Sequence, residues 1–138
     1  MSVSAFRLDH IGIAVSSIDQ AVGLYEALGL KETRREIVES QEVRTAFLPI
    51  GDTRLELLEP VGSDSPVAKF LAKRGPGIHH ICFAVPDLEG ALADLRGRGF
   101  RLVHQSPVPG ADGRRVAFLH PSAGQGVLIE LSEGTSGS

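Results

Sequence analysis

Several features are scarce in this chain of 138 residues, and each absence excludes a class of protein. The single cysteine, Cys82, excludes an internal disulfide and suits a reducing compartment. No apolar run approaches the roughly 20 residues that cross a bilayer, and Met1 to Arg7 lacks the layout of a signal peptide. The net charge of −3 is too small to indicate nucleic acid or an anionic membrane as a partner. We therefore expect a cytoplasmic protein with no nucleic-acid or membrane partner.

What the sequence does contain is an internal repeat, which is sought before secondary structure is assigned. Residues 8–15 (LDHIGIAV) match residues 78–85 (IHHICFAV), each with a histidine third. The register then holds without a gap through a helical stretch in both halves. Helix-capping residue types follow at equivalent positions: Ser17 and Asp87 before each helix, Gly29 and Gly99 after it. The later matches are FLP at 47–49 with FLHP at 118–121, and LEL at 55–57 with IEL at 129–131.

Each half thus predicts a strand, a helix and three further strands. The predicted strands are 10–15, 34–39, 43–50 and 54–59, followed by 79–85, 101–105, 115–120 and 126–131. Gly51-Asp52 is typical of a hairpin turn, and Ser65-Pro66 is typical of the start of a short helix that extends to Arg74. We expect one domain over 1–138, with repeat module one at about 6–60, a connector helix at about 61–76 and module two at about 77–133.

Side-chain alternation along strands predicts four ligands on one face. Bulky residues of the first strand share one face, which should pack against a helix, while His10 shares the other face with small residues. His80 occupies the same position in the second half. Glu56 and Glu130 lie between large apolar residues, so both carboxylates should point away from the packed side. If the halves close one sheet into a half-barrel, the two pairs meet, and two imidazoles with two carboxylates suit a divalent metal.

Other polar residues are expected to be structural. His79 lies on the bulky face and has Asp9 as its repeat partner, and Cys82 should be a small apolar lining residue. His104 and His120 have no histidine partner in the repeat. We expect His104 at the surface and His120 at a strand end near the mouth of the pocket.

The opening motif, residues 8–15, resembles the vicinal-oxygen-chelate (glyoxalase/bleomycin resistance/dioxygenase) superfamily. Three further stretches are similar to its methylmalonyl-CoA epimerase family: 65–71 (SPVAKFL), 77–83 (GIHHICF) and 118–121 (FLHP) followed by 126–131 (GVLIEL). The likeness extends from about Leu8 to Ser132. It implies an α+β fold in which two tandem βαβββ modules form a mixed half-barrel sheet around a metal site.

The resemblance also implies ligands and bases. The family's metal ligands fall on His10, His80 and Glu130, with Glu56 at the fourth position, and Co²⁺ is the favoured ion, with Mn²⁺, Ni²⁺ or Zn²⁺ also compatible. A glutamate proposed as a base in some members is matched here by Thr45, which cannot take a carbon-bound proton unaided. Glu130 is the leading catalytic group, and Glu42 or Glu39, or a species held by the metal, could serve as the second.

The activity implied is interconversion of (2R)- and (2S)-methylmalonyl-CoA through an enolate, in a homodimer that takes an acyl-CoA substrate. Coenzyme A phosphates need cationic partners, for which five residues are candidates: Lys69, Lys73, Arg74, Arg114 and Arg115. A glyoxalase I type lyase acting on a glutathione hemithioacetal is the nearest alternative. An extradiol dioxygenase would need only two histidines and one carboxylate, and a non-catalytic binding member would need no metal.

Overall fold

The computed structural model describes residues 6–134, which fold into eight strands and three α-helices. The described chain divides into two compact units, residues 10–79 and residues 6–9 with 80–134. Within each half the order is strand, helix and three strands, and parallel and antiparallel pairs both occur. The predicted α+β class with two βαβββ modules is therefore confirmed. No helix among the described residues is long and apolar enough to cross a membrane.

The first half contains six elements: β1 (Arg7–Ala14), α1 (Ile18–Ala27), β2 (Arg34–Val38), β3 (Val43–Ile50), β4 (Thr53–Pro60) and α2 (Pro66–Arg74). Its strand order is β2-β3-β4-β1, and β1 runs parallel to β4. The predicted hairpin turn at Gly51 joins β3 to β4. Ile13 and Val15 pack against α1 through Ile18 and Val22, as the alternation of bulky residues predicted.

The second half contains five elements: β5 (Gly77–Val85), α3 (Leu88–Gly97), β6 (Val108–Pro109), β7 (Arg115–Phe118) and β8 (Ile129–Glu133). Its strand order is β5-β8-β7-β6, with β5 parallel to β8. Phe83 and Val85 pack against Leu88 and Leu92 of α3, so the bulky face of this strand also lies under a helix.

Helix ends follow the capping residues. Ser17 Oγ accepts a hydrogen bond from the Gln20 N–H at 3.3 Å, and Asp87 Oδ1 accepts one from the Gly90 N–H at 3.0 Å. Gly29 and Gly99 adopt φ angles of 100° and 89° just after α1 and α3, the left-handed conformation for which glycine is favoured. The predicted caps are thus confirmed in both halves.

The prediction of a strand at 101–105 is wrong. Only an isolated bridge between Leu102 and Leu119 forms there, and the pairing with β7 is resumed by Val108–Pro109. Pro107 and Pro109 lack the N–H that a continuous ladder requires. The segment therefore leaves the sheet where its repeat partner, β2, remains paired with β3 over five residues.

Candidate functional site

In the first half, His10 and Glu56 form a buried pair. Their side chains are almost wholly excluded from solvent, and His10 Nδ1 lies 3.2 Å from Glu56 Oε2. The pairing follows from register: β1 and β4 are parallel neighbours in which Gly12 is aligned with Glu56. Because His10 is two residues from Gly12, its side chain extends from the same face as the carboxylate.

Arg54 also contacts the Glu56 carboxylate, and the sequence analysis missed this residue. Its Nε and Nη2 atoms donate to Glu56 Oε2 at 2.8 and 2.7 Å, and its side chain is only 11% exposed. The Arg54 guanidinium also lies 5.3 Å from the centre of the Phe47 ring, and Phe47 is the cross-strand partner of Glu56. The available signal was the two-residue spacing of Arg54 and Glu56, which puts both side chains on one face of β4.

In the second half, His80 and Glu130 form the equivalent pair, with 2.9 Å between His80 Nε2 and Glu130 Oε1. Both residues are 5% exposed. Cys82 is aligned with Glu130 across the parallel β5–β8 pair, as Gly12 is with Glu56. On the other side, Phe118 of β7 is the cross-strand partner of Glu130, and its ring meets the His80 imidazole edge-on with 5.4 Å between centroids.

The prediction that each histidine shares a face with the glutamate of its own half is thus confirmed. Each half brings a ring nitrogen and a carboxylate oxygen within hydrogen-bonding reach, at positions where burial would be costly for an unpartnered charge. Imidazole nitrogen and carboxylate oxygen are donors that first-row divalent ions accept. The donor set in each half therefore fits such an ion, while the joining of all four residues around one ion stays a prediction.

The candidates for a second base lie at the start of β3. Thr45 is 1% exposed and lies two residues before Phe47, on the face that carries Glu56. Glu42 is exposed, and its backbone is left-handed, with φ 51° and ψ 51°. The Glu42 carbonyl accepts a hydrogen bond from the Val61 N–H at 2.9 Å, which holds the backbone at this position. Glu39 is also exposed, in a single 3-10 turn.

The remaining histidines have distinct surroundings. His79 packs edge-on against Phe70 of α2, with ring centroids 5.1 Å apart, which fits a structural residue. His120 follows β7, and its Nδ1 accepts the Ser122 N–H at 3.1 Å. The prediction of a surface position for His104 is wrong, because its half-buried ring accepts the Phe118 N–H through Nδ1 at 3.0 Å. Cys82 is a fully buried thiol, as expected of a small lining residue.

A third buried carboxylate, which the sequence analysis also missed, lies on β1 next to His10. Asp9 is 1% exposed, and its Oδ1 is 3.0 Å from Arg114 Nη1 and 3.4 Å from Arg7 Nη2. This ion pair ties the start of β1 to the loop before β7. Arg114 is thereby engaged with a carboxylate.

Comparison with known proteins defines the class of this chain. The sequence model of the Glyoxalase/Bleomycin resistance protein/Dioxygenase superfamily matches residues 9–118. The chain belongs to this superfamily.

The chain is also similar to individual proteins over almost its whole length. The chain is 47% identical over 128 residues to the uncharacterized protein YqjC of Bacillus subtilis, covering 92% of this chain and 91% of that protein. It is 38% identical over 130 residues to the ethylmalonyl-CoA/methylmalonyl-CoA epimerase of Cereibacter sphaeroides, covering 92% and 97%. A solved structure of methylmalonyl-CoA epimerase in complex with methylmalonyl-CoA and NH₄⁺ superposes with a TM-score of 0.89 at 41% identity, covering 96% of this chain and 98% of that chain.

Proposed function

We propose that this chain interconverts (2R)- and (2S)-methylmalonyl-CoA. The observation that carries the proposal is the pair of buried His–Glu contacts at repeat-equivalent positions, in a chain whose relatives include named methylmalonyl-CoA epimerases over almost its whole length. The proton at C2 of this substrate lies between a thioester carbonyl and a carboxylate. Removing it creates negative charge on oxygen, and buried polar groups are suited to stabilise that charge.

The proposed cation ligands are His10, Glu56, His80 and Glu130. A divalent ion such as Co²⁺ would supply Lewis-acid stabilisation of the charge that develops on the substrate oxygens. The protein's part is to orient the ligands: Arg54 directs one carboxylate oxygen of Glu56, and the Phe118 ring packs against the His80 imidazole. Groups of this kind around metal ligands set the ligands' orientation.

Inversion requires one group to remove the C2 proton and another, on the opposite face, to return one. Glu130 is the proposed group on one face, because its carboxylate is buried beside an imidazole and an aromatic ring. Glu42 is proposed for the other. It precedes the strand of Thr45, which offers no base at the matching position, and its backbone is held by Val61.

Isotope exchange in ²H₂O tests both assignments, because each base should deprotonate one epimer. We expect Glu42→Gln to lower deuterium entry from one epimer by about 10²- to 10⁴-fold, the usual contribution of a general base, and to leave entry from the other largely intact. Glu130→Gln should abolish entry from both, since this residue is proposed as ligand and base. Deuterium at C2 is measured by mass spectrometry for each pure epimer.

Glu39→Gln is the comparison variant, since Glu39 is the other exposed carboxylate of this turn and the alternative candidate for the second base. We expect near wild-type exchange from it, and a loss there in place of one in Glu42→Gln would assign the base to Glu39. Near wild-type epimerisation by Glu130→Gln would remove that residue from the mechanism. A failure of the wild-type protein to introduce any deuterium would reject the epimerase function itself.

Helix α2 is the proposed contact for the phosphates of coenzyme A. Of the five candidate cations, Arg114 is paired with Asp9, and Arg115 with Glu133 and Glu89. Among residues 6–134, no carboxylate forms an ion pair with the three α2 cations. These are Lys69, Lys73 and Arg74, all exposed, in a helix that contains no acidic residue. Their charges are therefore available to an anionic ligand.

Truncated substrates test this contact. The double variant Lys69→Ala/Lys73→Ala should raise KM for methylmalonyl-CoA roughly five- to tenfold, in line with two exposed ion pairs, and the difference should shrink at high salt. KM for the methylmalonyl thioester of N-acetylcysteamine, which has no phosphate, should not change. The control is Arg96→Ala/Arg98→Ala at the C-terminal end of helix α3. Equal effects on both substrates would contradict a phosphate contact.

A further inference from the structure

In each half a phenylalanine is the cross-strand partner of the glutamate: Phe47 for Glu56 and Phe118 for Glu130. The two halves differ in the segment that pairs with the other side of this phenylalanine. In the first half, β2 pairs with β3 through backbone hydrogen bonds, and Arg34 is aligned with Phe47. In the second half a side chain takes over part of that role: the Phe118 N–H donates to His104 Nδ1 at 3.0 Å. The Phe118 carbonyl in turn accepts the N–H groups of Val103 and His104, at 2.9 and 3.3 Å. His104 therefore engages both backbone polar groups of Phe118.

The acceptor role requires an unprotonated Nδ1, so that the proton of the neutral ring lies on Nε2. Burial lowers the pKa of His104, while the negative charge of Glu130 acts in the opposite direction. The lowered pKa keeps the ring neutral at physiological pH and able to accept the hydrogen bond.

Phe118 lies between His104 and the proposed ligand pair. Its ring is tilted against the His104 ring at 5.9 Å and meets the His80 ring edge-on at 5.4 Å. Its backbone is the cross-strand partner of Glu130. A displacement of Phe118 would consequently reach the imidazole through the ring contact and the carboxylate through the backbone.

The first half contains the same arrangement with a different residue. Arg34, the repeat equivalent of His104, lies over the Phe47 ring at 4.2 Å, and Phe47 is the cross-strand partner of Glu56. In both halves the residue at this position therefore supports the Phe opposite a proposed ligand. Because the same arrangement occurs in both halves with different side chains, we infer that the role of this position is to support the Phe residue.

We propose that His104 is a positioning residue for the His80–Glu130 pair, acting through the hydrogen bond that its Nδ1 accepts from the Phe118 N–H. The proposal rests on the metal-binding role given to that pair in the proposed function. It predicts that the hydrogen-bond acceptor at this position matters, and that the imidazole as such does not.

Two variants separate these contributions. In His104→Asn, the side-chain oxygen can occupy the place of Nδ1 and accept the Phe118 N–H, whereas His104→Leu removes the acceptor and keeps an apolar side chain of similar size. We expect the Leu variant to weaken Co²⁺ binding by about tenfold or more, as is usual when a group that orients a ligand is lost. We expect the Asn variant to remain close to wild type. For turnover, the Leu variant should lower kcat with little change in KM.

Measurements on the metal-free protein decide the proposal independently of activity. In the Leu variant, hydrogen exchange at the Phe118 amide should become faster and the ¹⁵N shifts of the His80 ring should change, while both stay near wild type in the Asn variant. If His104→Leu does not fold, His104→Gln replaces it. The Gln side chain is longer than that of Asn, so its amide oxygen cannot reach the Nδ1 position unless the chain shifts.

Unchanged His80 shifts and unchanged Co²⁺ affinity in the Leu or Gln variant would overturn the proposal, as would equal losses in the Asn variant. If wild-type protein binds no Co²⁺, the Co²⁺-binding role given to the pair in the proposed function fails. The His80 shifts and Phe118 exchange of the metal-free variants would then still show whether His104 positions the pair.

Discussion

At the scale of single residues, the two glutamates of the repeat differ in their neighbours. Glu56 is held by Arg54 from its own strand, while Leu128 occupies the position equivalent to Arg54 in the second half. Both glutamates have a histidine within hydrogen-bonding reach and a phenylalanine as cross-strand partner, so Arg54 is the neighbour in which the two halves differ. The duplicated positions thus have different electrostatic surroundings, in keeping with the roles proposed for Glu56 as a ligand and for Glu130 as both ligand and base.

We expect Arg54→Met to destabilise the protein, because it removes the guanidinium from a buried carboxylate. The free energy of unfolding should fall by about 2–4 kcal/mol, somewhat below the usual cost for a fully buried pair. Urea unfolding in the presence of a chelator measures it without metal. The double variant Arg54→Met/Glu56→Gln should be less destabilised than the sum of the two single variants. Strict additivity would mean that the Arg54–Glu56 contact contributes little.

At the scale of elements, a glutamate at the end of each module fastens that module's helix. Glu59 Oε1 accepts the Ile18 N–H at the start of α1 at 2.8 Å, and Glu133 Oε2 accepts the Leu88 N–H at the start of α3 at 3.2 Å. The second oxygen of each glutamate binds an arginine from the neighbouring strand: Arg44 for Glu59 and Arg115 for Glu133. The repeat therefore preserves a helix cap that reaches over about 40 residues.

Glu59→Ala and Glu133→Ala should each lower the free energy of unfolding by about 1 kcal/mol, the usual cost of losing an N-terminal helix cap. The reason is that an N–H at each helix start loses its acceptor. Chemical denaturation measures both variants. Glu26→Ala, at an exposed position of α1, is the control and should change stability by less than about 0.5 kcal/mol. Effects no larger than this control would show that water replaces the carboxylates.

At the scale of the whole molecule, the chain consists of two units that each have their own apolar cluster and their own His–Glu pair. Two protein ligands leave most positions of a divalent ion to water, whereas three or four hold it far more tightly. The number of ions bound therefore distinguishes one shared centre from two separate ones.

We expect one Co²⁺ per chain by elemental analysis after dialysis. His10→Ala and His80→Ala should each abolish stoichiometric binding, because either change removes a ligand of the same ion. Circular dichroism of each variant checks that the fold is kept. Two ions per chain, or the loss of half the metal in each variant, would contradict a single centre formed by all four residues.

The sequence by itself determined most of the elements and the face of each proposed ligand. Strand alternation and capping residues act over a few positions, so the repeat was sufficient to predict that His10 lies with Glu56 and His80 with Glu130. The same local rules predicted α2 from Ser65-Pro66 to Arg74, as observed. They failed at 101–105, where prolines further along the chain decide how far the pairing extends.

Only the tertiary structure decided which side chains support the proposed ligands. Strand alternation could have placed Arg54 on the same face as Glu56, but the pairing of the two side chains depended on which face of β4 became buried. The contact of His104 with Phe118 and that of Asp9 with Arg114 join residues 14 and 105 positions apart. Such contacts depend on how the loops close and how the elements pack. Local sequence patterns do not encode the distances between residues that these processes bring together.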